Sequence, residues 1–164
     1  MHINFRRSNF ILFLIGLILL LVSYYLEYQL NIKPCLLCLL QRGLLIALIF
    51  TFFFGFILPN KKIIHLIISL MNILFAFLGL LASGRQVWLQ HTVMLDPNAP
   101  VTCLPDTSFL LHTLPTSQII KLALTGTTEC SQITWRLFSL SLADWSCLFF
   151  LFFLLIGVWR LIRA

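Results

Sequence analysis

The sequence predicts an all-α membrane protein: a bundle of four transmembrane helices with a long outer loop between helices 3 and 4. Three observations predict it. First, 60% of the 164 residues are hydrophobic and only 10% are charged, a balance too apolar for a soluble domain of this size. Second, the chain contains four uncharged or nearly uncharged apolar runs, each close to the ~20 residues that a helix needs to cross a bilayer. Third, the basic residues cluster where a four-span path repeatedly returns to one side.

The runs are residues 10–28, 36–58, 63–86 and 145–161. Hydrocarbon offers backbone groups no partner, so runs of this length satisfy themselves as helices. Arg6 and Arg7 precede the first run, Lys61 and Lys62 join the second to the third, and Arg160 and Arg163 end the fourth. All five acidic residues (Glu27, Asp96, Asp106, Glu129 and Asp144) fall on or near the opposite side. The positive-inside rule therefore places both termini and the turn at 59–62 in the cytoplasm, and loops 29–35 and 91–144 outside. The net charge of +6 follows from this topology and implies no nucleic-acid partner. Arg6-Arg7 before an apolar run resembles a signal sequence, but the Ser23-Tyr24-Tyr25-Leu26 stretch is bulky and offers no small-residue cleavage site. The first run is read as an uncleaved span, and residues 1–164 as a single membrane domain.

The outer loop 91–144 is long enough to carry function. Pro97, Pro100, Pro105 and Pro115 interrupt it. Thr116 can cap a short helix carrying Ile119, Ile120, Leu122, Ala123 and Leu124. Trp135, Phe138, Leu140, Leu142 and Trp145 lie among polar residues in the 134–145 stretch. That pattern suits a segment on the membrane surface, or one packed on the bundle.

Five cysteines are present, and Cys35, Cys38, Cys103 and Cys130 fall at or beyond the outer surface. In a bacterial cell that compartment supports disulfides. Cys35 and Cys38 form a C-x-x-C at the start of the second span, after Pro34. There the unpaired amides and the helix dipole favour a thiolate, the attacking form. A redox-active pair fits a C-x-x-C at a helix start better than a structural disulfide, and better than a zinc site, because the remaining cysteines lack the spacing of a second ligand pair. No metal is expected. Cys103 and Cys130 fit either a structural tie for the loop or a second exchangeable pair. Cys147, near the outer end of the fourth span, reads as a small buried hydrophobe.

Arg42 stands four residues after Cys38 and seven after Cys35, on the same helix face. A charge inside an apolar span defaults to a functional role, against the plainer alternative of snorkelling to headgroups. It can stabilise a Cys38 thiolate or hydrogen-bond a ligand carbonyl. Asn72, in mid-span three, can hydrogen-bond between helices. Arg85 and Gln86, near the outer end of that span, can line a ligand site or anchor at the interface. His65 and His112 read as interfacial and loop residues.

The motifs KPCLLCLLQR (33–42), SGRQVWLQH (83–91), TCLPDTSFLLHTLP (102–115) and TECSQITWRLFSLSLADW (128–145) together resemble the DsbB family of inner-membrane disulfide-forming proteins. The likeness spans nearly the whole chain. It implies a relay in which a reduced periplasmic thioredoxin-fold oxidase, DsbA-like, attacks the loop disulfide. By position, Cys103 matches the cysteine that forms the mixed disulfide with that partner. Cys130 matches the one released, which exchanges with the membrane-edge pair through Cys35. Cys38 matches the cysteine that engages a bound quinone (ubiquinone or menaquinone), which returns electrons to the membrane pool. Arg42 matches an arginine beside the quinone ring, and His91 a histidine near its pocket. Leu104-Pro105-Asp106, the residues before Glu129-Cys130 and Ala143 depart from common family patterns, which bears on loop conformation and partner choice.

Overall fold

The structure is a computed structural model. It describes residues 5–30, 35–59, 62–95, 115, 136–137 and 140–162. Four long helices dominate: α1 (Phe5–Leu30), α2 (Leu36–Ile57), α3 (Lys62–Leu95) and α4 (Leu142–Ile162). Each contains a stretch long and apolar enough to cross a membrane. A two-stranded antiparallel ladder, β1 (Arg136–Leu137) and β2 (Leu140–Ser141), leads directly into α4, with Arg136 opposite Ser141 and Leu137 opposite Leu140.

Local chemistry sets the helix ends. α2 stops at Ile57 because Leu58, at φ −66° and ψ 150°, precedes Pro59. A proline ring excludes the helical region for the residue before it. α3 runs to Leu95 rather than ending near Gln86 as the hydropathy suggests. No proline or glycine lies between Gly84 and Pro97, so nothing breaks the helix where its apolar character fades. α4 begins at Leu142, three residues before the expected start. Ser141 caps it: Asp144 N–H reaches Ser141 Oγ at 3.3 Å, and Ser141 N–H donates to Asp144 Oδ2 at 2.8 Å. This reciprocal capping box satisfies two backbone donors and draws residues 142–145 into the helix.

Consecutive helices pack side by side, α1 on α2, α2 on α3 and α3 on α4, in an up-down-up-down bundle. Leu12, Leu48, Phe52, Ala76, Phe150 and Phe153 form the buried core. Gly79 lets α3 approach α4 closely; a Cβ there would lie 2.3 Å from ring carbons of Phe150. Many large apolar side chains, including Phe50, Phe54, Ile67 and Leu155, are exposed on the outside of the bundle. Hydrocarbon solvates such a surface, which in water would be an aggregation liability. Thr51 donates to Asn72 Oδ1 at 2.5 Å, the interhelical bond anticipated for Asn72.

The two ends of the bundle differ. At the Lys62 end, α4 is fastened to α1: buried Arg160 donates to Asn9 Oδ1 at 2.6 Å and to Ser8 Oγ. Gly55 leaves the room that Asn9 occupies. At the other end, α1 and α4 stand apart around a cavity.

Candidate functional site

The cavity, about 400 Å³, lies at the end of the bundle that carries the cysteine pair. Leu19, Val22 and Leu26 of α1 face Trp145, Phe149 and Phe153 of α4 across it. The polar lining is confined to Ser23, Glu27, Cys38, Gln41, Arg42, Gln86 and Ser146. An apolar chamber with a few convergent polar groups is the usual form of a small-molecule site.

Cys35 is the N-cap of α2, and its sulfur accepts Cys38 N–H at 3.4 Å. The helix start therefore supplies a backbone donor to that sulfur. Cys35 Sγ and Cys38 Sγ lie 2.9 Å apart. Cys35 is buried at 3% exposure and packs with Leu37, whereas Cys38 lines the cavity. One sulfur is thus held in the protein and the other faces the chamber.

Gln86 of α3 reaches both sulfurs. Its Nε2 lies 3.3 Å from Cys38 Sγ and 3.7 Å from Cys35 Sγ. Gln86 Oε1 accepts from Gln41 Nε2 at 2.8 Å, and Gln41 Oε1 accepts from Ser146 Oγ at 3.1 Å. A hydrogen-bonded chain therefore runs from α4 through α2 and α3 to the thiols. All three side chains are buried or half-buried, where hydrogen bonds hold orientation strongly.

Arg42 sits on the cavity wall below Cys38, as its register predicts. Its Nη1 donates to Glu27 Oε2 at 2.6 Å and its Nη2 to Ser23 Oγ at 2.9 Å. Its guanidinium carbon stands 4.3 Å from the centre of the Tyr24 ring. The Nε–H of Arg42 is buried and has no hydrogen-bond partner among the described residues.

The remaining sequence candidates are distributed as follows. His91 is exposed, lies outside the cavity lining, and sits with Nδ1 3.3 Å from Val87 O. Arg85 stacks over Trp88 at 4.5 Å, an interfacial arrangement. Cys147 is a half-buried free thiol that does not line the cavity. Cys103 and Cys130 lie outside the described residues, as do the predicted helix at 119–124 and most of the outer loop. Among the described residues, no group of His, Cys, Asp or Glu is placed to hold a metal.

Three pairings were not anticipated: Glu27 with Arg42, Ser141 with Asp144, and Gln41 with Gln86. Glu27 is the sole acid in the first 95 residues, and a lone carboxylate on the span preceding an intramembrane arginine is a pairing signal. Ser141 and Asp144 spell S-x-x-D before an apolar run, a capping-box pattern. The Gln41–Gln86 contact had no local signal, because it joins residues 45 apart.

The family model for "Disulfide bond formation protein DsbB" matches residues 5–160. Disulfide bond formation protein B of Stutzerimonas stutzeri is 29% identical over 164 residues, covering 99% of both chains. The protein of that name from Acinetobacter baumannii is 31% identical, covering 99% of this chain and 94% of its own. Disulfide bond formation protein B 1 of Pseudomonas aeruginosa is 36% identical over 141 residues, covering 86% of this chain and 85% of its own. No solved structure matches significantly. The family match covers nearly the whole chain, so the chain belongs to the DsbB family.

Proposed function

We propose that this protein is a quinone-dependent thiol–disulfide oxidoreductase of the bacterial inner membrane. It reoxidises a periplasmic, DsbA-like thioredoxin-fold oxidase and thereby sustains disulfide formation in exported proteins. The observation that carries the reading is the position of Cys38 and Arg42 together on one apolar chamber within the bundle. The chamber's volume and apolar walls fit a quinone head group, and the Arg42 guanidinium on its wall suits one of its carbonyl oxygens. Bound there, ubiquinone or menaquinone supplies a strongly oxidising two-electron acceptor.

In this reading the chain's own residues act in sequence. A thiolate of the reduced partner attacks a Cys103–Cys130 disulfide at Cys103, forming a mixed disulfide and releasing Cys130 as a thiolate. The partner's second thiol then resolves the mixed disulfide, leaving the partner oxidised and Cys103 reduced. Cys130 attacks the Cys35–Cys38 disulfide at Cys35, and the S–S electron pair leaves on Cys38. Cys103 resolves the resulting Cys130–Cys35 bond, which regenerates the loop disulfide and leaves two electrons on the membrane-edge pair. Arg42, held by Glu27 and Ser23, keeps a fixed positive charge beside Cys38 on the chamber wall. Arg6, Lys62 and Arg160 share the end of the bundle away from the thiols, which supports cytoplasmic termini and a periplasmic redox face.

The test is quinone reduction by the purified protein, with a reduced thioredoxin-fold oxidase as donor and a soluble ubiquinone analogue as acceptor. Turnover that disappears in Cys35→Ser is the expected result. Absence of turnover with several donors, together with inert outer cysteines, would overturn the relay in favour of two structural disulfides.

A further inference from the structure

We infer that Gln86 is a positioning residue that holds the negative charge on Cys38 when the Cys35–Cys38 disulfide opens. The inference rests on the reading of that pair as redox-active. When an incoming thiolate attacks Cys35, a new S–S bond forms there, the Cys35–Cys38 bond breaks, and its electron pair remains on Cys38 Sγ. That anion needs donors. Two donors among the described residues reach the pair, one nearer each sulfur. Cys35 Sγ takes the backbone N–H of Cys38 at 3.4 Å. Cys38 Sγ takes Gln86 Nε2 at 3.3 Å, nearer than the 3.7 Å from that nitrogen to Cys35 Sγ.

The direction of the carboxamide follows from its other end. A sulfur anion only accepts, so it requires the N–H₂ face of Gln86. Gln86 Oε1 is then left for Gln41 Nε2, at 2.8 Å, and Gln41 Oε1 for the Ser146 hydroxyl, at 3.1 Å. Gln86 is 5% exposed and Gln41 8%, so water competes little for either amide. A donor fixed before the bond breaks stabilises the charge without reorganisation. Since Cys38 and not Cys35 lines the chamber, the same contact favours the electron pair on the sulfur that faces the acceptor. Ser146 touches neither sulfur yet belongs to the chain, so its effect is transmitted through Gln41.

The experiment uses the full-length chain with Cys35, Cys103, Cys130 and Cys147 replaced by serine, so that Cys38 is the sole thiol. Its alkylation by iodoacetamide is followed against pH in detergent. A hydrogen bond to a charged group corresponds to about one to two pH units in the midpoint, and Gln86→Leu is expected to raise the midpoint by that much. Gln86→Glu, which keeps the shape but replaces the donor with an acceptor, is expected to raise it at least as far. Ser146→Ala is expected to raise it less. A purely structural role would change the plateau rate and leave the midpoint in place. An unchanged midpoint in both Gln86 variants overturns the inference, and if the leucine variant does not fold, the isosteric glutamate variant decides. Neither partner nor quinone enters this measurement, so its outcome is separate from that of the turnover assay.

Discussion

Arg42 of α2 and Glu27 of α1 form an ion pair at 2.6 Å on the wall of the cavity that holds Cys38. Their side chains are 12% and 30% exposed, so the pair is neither fully screened nor fully desolvated. It fastens α1 to α2 at the end of the bundle where α1 and α4 part. It also holds the guanidinium in place, with Ser23 taking its second terminal nitrogen.

Removing one partner leaves the other charge uncompensated. Glu27→Ala is expected to lower stability in detergent by about 1–3 kcal/mol, between the cost of breaking an exposed pair and a buried one. Thermal unfolding of the purified variant measures this. The double variant Glu27→Leu with Arg42→Met is expected to recover most of the loss. Equal loss in the single and double variants would show that packing, not charge, is at stake.

Arg42→Lys keeps a charge but not the planar fork that spans Glu27 and Ser23 while retaining a further donor. The proposed role predicts that KM for a soluble quinone analogue rises about tenfold or more, the worth of one hydrogen bond to a charged group. Steady-state kinetics with the variant check this. An unchanged KM would remove Arg42 from the ligand's contacts.

The relay assigns work to four cysteines and none to the fifth. Cys35→Ser, Cys38→Ser, Cys103→Ser and Cys130→Ser are each expected to abolish turnover. Cys147→Ser, replacing a half-buried thiol outside the cavity, is expected to retain it. The same assay on all five variants separates these outcomes, and activity in Cys103→Ser would break the loop-first order.

Gly79→Ala tests the α3–α4 contact. The added methyl meets the Phe150 ring at 2.3 Å, and overpacking of that kind costs about 1–3 kcal/mol. Phe150→Leu in the same chain is expected to relieve part of it. Non-additivity in a double-mutant cycle by thermal unfolding is the readout.

Ser141→Ala removes the cap of α4 and a bond to α3, since Ser141 Oγ also donates to Gln90 Oε1 at 2.8 Å. The expected loss is about 1–2 kcal/mol, the usual cost of an N-cap. If Gln90→Ala costs as much alone and nothing further in the double variant, the two residues act as one tether.

The four helices, the thiol pair at the head of α2 and the placement of Arg42 on its face were legible in the sequence, because each depends on local pattern. Hydropathy over ~20 residues, a three-residue cysteine spacing and a four-residue helical register are all short-range quantities. Helix ends were less legible where hydropathy and hydrogen bonding disagree. α3 outruns its apolar stretch because nothing breaks it before Pro97, and α4 starts early because Ser141 and Asp144 cap it. Only the tertiary structure decided which polar residues meet. Glu27 and Ser23 reach Arg42 from another helix, and Gln86, Gln41 and Ser146 join three helices at the sulfurs. Such contacts depend on how helices rotate and cross, and close approaches such as that of Gly79 to Phe150 fix those angles. Composition and period specify that a helix exists and which side is apolar. The packing of one helix on another selects the few buried polar groups that find each other, and with them the walls of the cavity beside Cys38.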